Sequence, residues 1–244
     1  MGAQGRHPDG GHVNDFVEAF AWLADPAHWS GTDGIANRVL EHLWYSGSSL
    51  AVAAAIAVPM GIAVGHARSR RAEIVAVQTA NAGRAVPTFA VLVLVFVLVL
   101  QYAPELAFGY VPTVVALVLL GLPSILLNTT IGVRSVDDDV RESARGMGMR
   151  GRQALRWVEV PLAAPLVVTG LRIAALQIVA TATLAAFVAG GGLGRFIRDG
   201  YTQQDLPQMI AGAYLVAALA LLTDGAFALV ARATAPGRRR GRRP

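Results

Sequence analysis

The residues with the most chemistry in this 244-residue chain lie between Ser135 and Val160. Asp137, Asp138 and Asp139 stand at its start, where acids favour a helix N-terminus. Glu142-Ser143-Ala144-Arg145-Gly146-Met147-Gly148-Met149 follows, then a glycine-broken turn and a second helical stretch to Trp157, ending at Val160-Pro161. Two short helices around a glycine hinge make a knob suited to a partner's groove. Ser143 and Ala144 allow close backbone approach, and the methionines give adaptable packing. The same residues also read as a structured loop that only links its neighbours, and both readings stay open on residue types alone. Gly146, Gly148 and Gly151 form a G-x-G-x-x-G string, but a dinucleotide site needs a strand before it, and here an apolar stretch precedes. There is no G-x-x-x-x-G-K-[ST] and no Lys at all, so the chain is expected not to be an ATPase. With no Cys and no H-E-x-x-H, nucleophilic and metal chemistry have little support.

Polar groups inside apolar stretches are the second set of candidates, because an ionisable residue within a membrane is functional by default. Arg172 lies about two turns into one such stretch and Asp224 about two turns from the end of another. At 1.5 Å rise per residue the two fall at similar depth, which suits a buried ion pair or a part in gating. Gln177, Thr181 and Thr183 are candidates to line a passage, with helix-packing glue as the competing role. Pro59, Pro87 and Pro123 read as kinks or flanks, either hinges or ordinary irregularities.

These residues need apolar helices to hold them. The chain is 54% hydrophobic and 15% charged, against about 25% charged for an average soluble domain. Disorder, collagen-like repeats and disulfide scaffolds are excluded by the same composition. Five stretches approach the roughly 20 apolar residues that cross a bilayer. They run at about 39–64, 86–102, 111–133, 165–189 and 207–231. Domain 39–232 thus reads as membrane-spanning, with the 135–160 loop inside it. Residues 1–38 form a polar head with no cleavable signal pattern. Within the head, Asp15 to Trp29 is a candidate interfacial helix with Phe16, Phe20 and Leu23 on one face; a frayed terminus is the alternative. Residues 233–244 form an Arg-rich tail, Arg238, Arg239, Arg240, Arg242 and Arg243. It reads as a topology anchor or as a sensor of anionic lipid.

Charge alternates loop by loop. Residues 1–41 hold Asp9, Asp15, Glu18, Asp25, Asp33 and Glu41 against Arg6 and Arg38. The loop after the first span has Arg68, Arg70, Arg71 and Arg84 against Glu73, and the loop between the third and fourth spans has Arg134, Arg141, Arg145, Arg150, Arg152 and Arg156. The loops between are nearly neutral. The positive-inside rule therefore places the head outside and the tail in the cytoplasm, which agrees with an odd number of spans. The net charge of +5 records orientation, not a nucleic-acid surface.

The 135–160 segment resembles the EAA loop of binding-protein-dependent ABC importer permeases. The family pattern is Glu-Ala-Ala, three residues, Gly, nine residues, Ile, one residue, Leu-Pro. Here Glu142-Ser143-Ala144, Gly148, Val158 and Val160-Pro161 hold the same spacing, with Ser and Val as conservative departures. Arg84-Ala85-Val86-Pro87-Thr88-Phe89-Ala90, Ser143 to Met149, Ala180 to Ala186 and Gly190-Gly191-Gly192-Leu193-Gly194 are similar to permeases for glycine betaine, carnitine or choline. The resemblance covers about residues 45–230.

The resemblance implies an all-α membrane protein of five transmembrane helices with the type I ABC importer permease (MetI-like) fold. It implies that the loop is a coupling helix set in a cleft of the ATPase, with Glu142, Ser143, Ala144, Gly146, Gly148, Met149 and Pro161 as coupling residues. Contact is expected above all from Glu142, Ala144 and Gly148. It implies that the loop after Gly194 meets a substrate-binding protein, with Arg195, Arg198, Asp199, Tyr201 and Asp205 as docking candidates; a solvated loop is the alternative. No cofactor is expected on this chain, with ATP and Mg held by the partner ATPase. The expected partners are an ABC ATPase dimer, a second permease that is a copy or a paralogue, an extracytoplasmic binding protein and the lipid bilayer, with no nucleic acid. The expected place is the bacterial inner membrane. An importer for an amino acid or phosphonate, and a scaffold without transport activity, are the alternatives.

Overall fold

A computed structural model describes residues 11–188 and 190–234, and among these the regular elements are all helical. The head and tail readings therefore lie partly outside the described residues; Arg6, Asp9 and the five tail arginines from Arg238 to Arg243 are among those left out.

Helix α1 spans Gly11–Ala24 and is followed by a short 3-10 turn, Pro26–His28, capped by Asp25, whose carboxylate accepts from Ala27 N. Helix α2, Ile35–Ala67, has 33 residues and at 1.5 Å per residue is about 50 Å long, more than a bilayer core needs. It covers the stretch read at 39–64 and continues at both ends. Helix α3 is Arg70–Ala85, with Ser69 accepting from Ala72 N at its start. Helix α4 is Thr88–Tyr102.

The second span, read from about Val86, begins two residues later, with Pro87 at its flank. Val86 is extended (φ −76°, ψ 128°) because Pro87 bars the residue before it from helical geometry. At 15 residues α4 is about 22 Å long, short of a bilayer core by itself. Among the described residues four helical runs are long and apolar enough alone; α3 and α4 make a fifth only as a pair broken at Pro87.

Helix α5, Tyr110–Arg134, tolerates Pro123 in its interior, as α2 tolerates Pro59. Helix α6 is Asp138–Gly146 and α7 is Gly151–Ala154. A wide π turn, Leu155–Glu159, runs directly into α8, Val160–Ala182. The expected end at Val160-Pro161 is absent, and one helical run extends from Gly151 to Val188. In the wide turn Val160 N–H reaches back to Leu155 O, so the ladder is already out of step where Pro161 lacks its N–H. Residues Thr183–Val188 tighten to 3-10, and α9 (Gly194–Gln203) and α10 (Leu206–Thr234) complete the chain.

The contacts divide the chain into two units. The first comprises Met1–Ser48, Thr88–Leu117 and Ile178–Leu221. Its core has one cluster of Ile35, Leu193 and Phe196, against which Trp22, Leu23 and Val39 pack. Leu92, Val95 and Ala116 form another. The described part of the head packs into this unit: Trp22 meets Phe196 edge-on at 5.4 Å and Phe20 stacks on Tyr214 at 5.0 Å.

The second unit comprises Ser49–Pro87, Val118–Gln177 and Leu222–Pro244. Its helices meet through small residues. A Cβ built on Gly61 would lie 2.6 Å from Thr129 Cβ, and one on Gly65 would lie 2.7 Å from Val133 Cβ. This G-x-x-x-G face lets α2 and α5 approach to backbone contact, the packing that holds helices together in lipid. Gly170 of α8 does the same against Asn128 of α5.

Candidate functional site

The segment after α5 is built as a capped, one-sided helix. Asp137 Oδ1 accepts from Asp139 N at 3.0 Å, and Asp138 and Asp139 occupy the first turn. This meets both the orphan N–H groups and the dipole at an N-terminus. Over nine residues, α6 turns Arg141 and Ala144 inward and leaves Glu142, Ser143 and Gly146 exposed, with Met147 exposed just beyond.

The end of α6 explains the glycine. Gly148 N–H donates to Arg145 O at 2.9 Å and Met149 N–H donates to Ala144 O at 3.1 Å, while Gly148 has φ +84°. This pair of bonds is a Schellman motif, which requires a left-handed residue where Gly148 stands. Gly146 lies within the helix and carries no such demand.

Of the three residues expected to make the partner contact, Glu142 and Gly148 are on the open face. Ala144 is corrected: it is 1% exposed and faces inward. The reason is helical phase, since 141 and 144 share the inward stripe and 142, 143 and 146 the outward one. Met149 is half-buried and Pro161 sits in the first turn of α8.

Behind α6 lies a set of charged groups that sequence reading missed as a site. Glu159, 1% exposed, has Oε1 at 2.8 Å from Arg141 Nη2 and Oε2 at 2.9 Å from His66 Nδ1. Arg68, with φ +49° just past α2, pairs with Asp138 and donates to Val136 O at 2.7 Å. Arg134 pairs with Glu73 at 2.9 Å. A recess of about 250 Å³ between these groups and α6 is lined by His66, Arg68, Asp138, Arg141, Glu142 and Arg145. Glu142, on the exposed side of α6, is one of its lining residues.

Arg172 and Asp224 are joined by two hydrogen bonds, Nε to Oδ1 at 2.6 Å and Nη2 to Oδ2 at 2.7 Å. The pair is not sealed off as expected: the side chains are 38% and 35% exposed. Gln177 accepts from Ser124 Oγ at 2.7 Å, an α5–α8 link that fits helix packing. Thr181 and Thr183 belong to the other unit, where Thr183 Oγ1 turns back to Ala180 O at 2.8 Å.

The candidates after Gly194 separate into two groups. Arg198 donates to Asp199 Oδ1 at 2.6 Å and to Ala186 O at 2.8 Å, Arg195 approaches Asp199, and Asp205 caps α10 by accepting from Gln208 N at 3.1 Å. These four are engaged within the chain. Tyr201 is 71% exposed beside a recess of about 750 Å³ that also involves Thr202, Gln204 and Met209. The Gly190–Gly194 loop itself is clipped to α2. Gly192 N–H donates to Glu41 Oε2 at 2.9 Å, Leu193 N–H to His42 Nδ1 at 3.3 Å, and His42 Nε2 to Val179 O at 2.9 Å.

A model of the family described as binding-protein-dependent transport system inner membrane component matches residues 57–236. The glycine betaine/carnitine/choline transport system permease protein OpuCB of Bacillus subtilis (strain 168) is 33% identical over 80% of this chain and 86% of its own length. The carnitine transport permease protein OpuCB of Listeria monocytogenes is 36% identical over 78% of this chain and 82% of its own. Among solved structures, the MetNI methionine ABC transporter in inward facing conformations aligns with a TM-score of 0.71 at 21% identity, over 83% of this chain and 96% of that one. That likeness establishes the type I importer permease fold. The chain is a multi-pass membrane protein and belongs to the inner-membrane permease components of binding-protein-dependent ABC transport systems, which work with a separate ATPase and a substrate-binding protein.

Proposed function

We propose that this chain is the membrane-spanning subunit of an ATP-driven importer for a small osmoprotectant of the glycine betaine, carnitine or choline kind. The names of the relatives support the solute class. The capped helix α6, with its outward Glu142, Ser143, Gly146 and Met147 and its inward Arg141 and Ala144, is the observation that carries the mechanism. An exposed apolar-and-acidic face held rigid from behind suits docking in a groove of another subunit.

In this reading the outward face of α6 and the Gly148 cap sit against an ATPase dimer that holds ATP and Mg. Closure of that dimer displaces α6, and the displacement shifts the spans between states open to one side and then the other. Such coupling requires each partner to bind the two states differently. The N-terminal head faces outward and α10 ends in the cytoplasm, as the arginine distribution supports. The Tyr201 face then lies outside, free for transient contact with the binding protein. Leu221, Leu222 and Leu229 of α10 are well exposed, and the Arg172–Asp224 pair lies open at its side. A second permease, copy or paralogue, completes the passage.

The test is reconstitution in proteoliposomes with the ATPase, the second permease and the binding protein, following ATP-dependent accumulation of labelled glycine betaine, carnitine and choline. Accumulation of at least one of them is expected. ATP-driven accumulation of an amino acid in their place would overturn the solute class, and none at all would overturn transport.

A further inference from the structure

The buried carboxylate of Glu159 joins its own turn and α6 to α2, which lies far away along the chain. His66 is 93 residues away and at the C-terminal end of α2; Arg141 lies on the inward face of α6, directly behind Glu142 and Ser143. Both oxygens of Glu159 are used, one by each partner. Arg141 Nη2 also lies 3.4 Å from His66 Nδ1, so the three side chains form one cluster.

Burying a carboxylate is costly unless it is fully paired. The wide π turn that holds Glu159 is a second irregularity, and such turns concentrate at functional sites. Both fall on one residue, directly between α6 and α8. The backbone already connects α6 to α8 through residues 147–159, so that link needs no side chain. What Glu159 adds is a connection from α6 to α2, which the backbone reaches only by way of α3, α4 and α5. Arg68 makes a parallel connection from the end of α2 to Val136 and Asp138, at the root of α6.

We propose that Glu159 is a relay: through Arg141 and His66 it carries the displacement of α6 to the C-terminal end of α2, so that α2 and the start of α8 follow the coupling helix together. Glu159 is a positioning residue and touches no solute. The relay rests on the reading of α6 as the ATPase contact, and it adds that two spans, not one, are driven by it.

The experiment measures solute imported per ATP hydrolysed by the complete complex in proteoliposomes, with glycine betaine, carnitine or choline as the probe. Glu159→Gln keeps the shape of the side chain and removes the charge that holds Arg141 and His66. It is expected to leave ATP hydrolysis within about twofold of wild type while solute per ATP falls at least tenfold. His66→Leu, at a half-exposed position, is expected to lower the ratio severalfold without loss of assembly, and the double variant to be no worse than Glu159→Gln alone. If Glu159→Gln does not assemble, His66→Leu decides by the same ratio. A wild-type ratio in whichever variant decides, or losses that multiply in the double variant, would overturn the relay. A wild-type complex that hydrolyses ATP but imports none of the three solutes overturns the transport reading, and the relay falls with it.

Discussion

Gly146 and Gly148 stand two residues apart, and the same substitution should act on them in opposite directions. A Cβ at either position meets nothing within 4 Å, so neither alanine variant creates a clash. What differs is the backbone. Gly148 sits at φ +84° in the Schellman turn, where a side chain costs about 1–2 kcal/mol. Gly146 is the last residue of α6, where alanine gains about 0.5–1 kcal/mol over glycine. Gly148→Ala should therefore open the turn about 5- to 30-fold more often, and Gly146→Ala should open it less. Amide hydrogen exchange at Met149, whose N–H is bonded to Ala144 O across the turn, reads this directly. Exchange is expected to speed up by that factor in Gly148→Ala and to slow in Gly146→Ala, with Gly148→Asn between wild type and Gly148→Ala because asparagine tolerates the left-handed region. Equal effects at the two glycines, or unchanged exchange in Gly148→Ala, would falsify the assignment of the turn.

Other outcomes follow from the same geometry. Gly61→Val drives a side chain into Thr129, and overpacking of this kind costs about 1–3 kcal/mol, seen as a lower melting temperature in detergent. His42→Ala leaves Leu193 N–H and Val179 O without their partner; thermal unfolding should show a loss of about 1–3 kcal/mol for a buried unmatched group. Asp224→Asn should destabilise more than the double variant Arg172→Gln, Asp224→Asn, because it alone leaves a guanidinium without its counter-charge, as thermal unfolding of the two variants would show. Tyr201→Ala should weaken stimulation of ATP hydrolysis by loaded binding protein while membrane insertion, checked by fractionation, is unchanged.

What was legible in the sequence was local. The spacing from Glu142 to Gly148 marks a helix and its stop, because capping and left-handed glycine are set by residues a few positions apart. The apolar runs located the long helices for the same reason. The break at Pro87 is the flank that its proline suggested, but one local point was misplaced: Val160-Pro161 does not end the segment before α8, since a wide turn absorbs the proline. The inward phase of Ala144 followed from Arg141 three residues earlier, but only once Arg141 had a buried partner. That partner, Glu159, together with His66, was not legible, because spacing along the chain carries no information about which distant helices pack together. Arg195, Arg198, Asp199 and Asp205 looked like a free polar patch although most of their partners are local, Asp199 for both arginines and Gln208 N for Asp205; only the Arg198 bond to Ala186 O reaches further along the chain.

The central claim is that the outward face of α6 is the contact with the ATPase. The chain has no cysteine of its own, so single cysteines can be placed without background. With the assembled complex, Ser143→Cys and Met147→Cys should cross-link to the ATPase subunit through a short bifunctional reagent, and Ala144→Cys, turned inward, should not. Cross-linking from position 144 but from neither 143 nor 147, or from none of the three, would contradict the account.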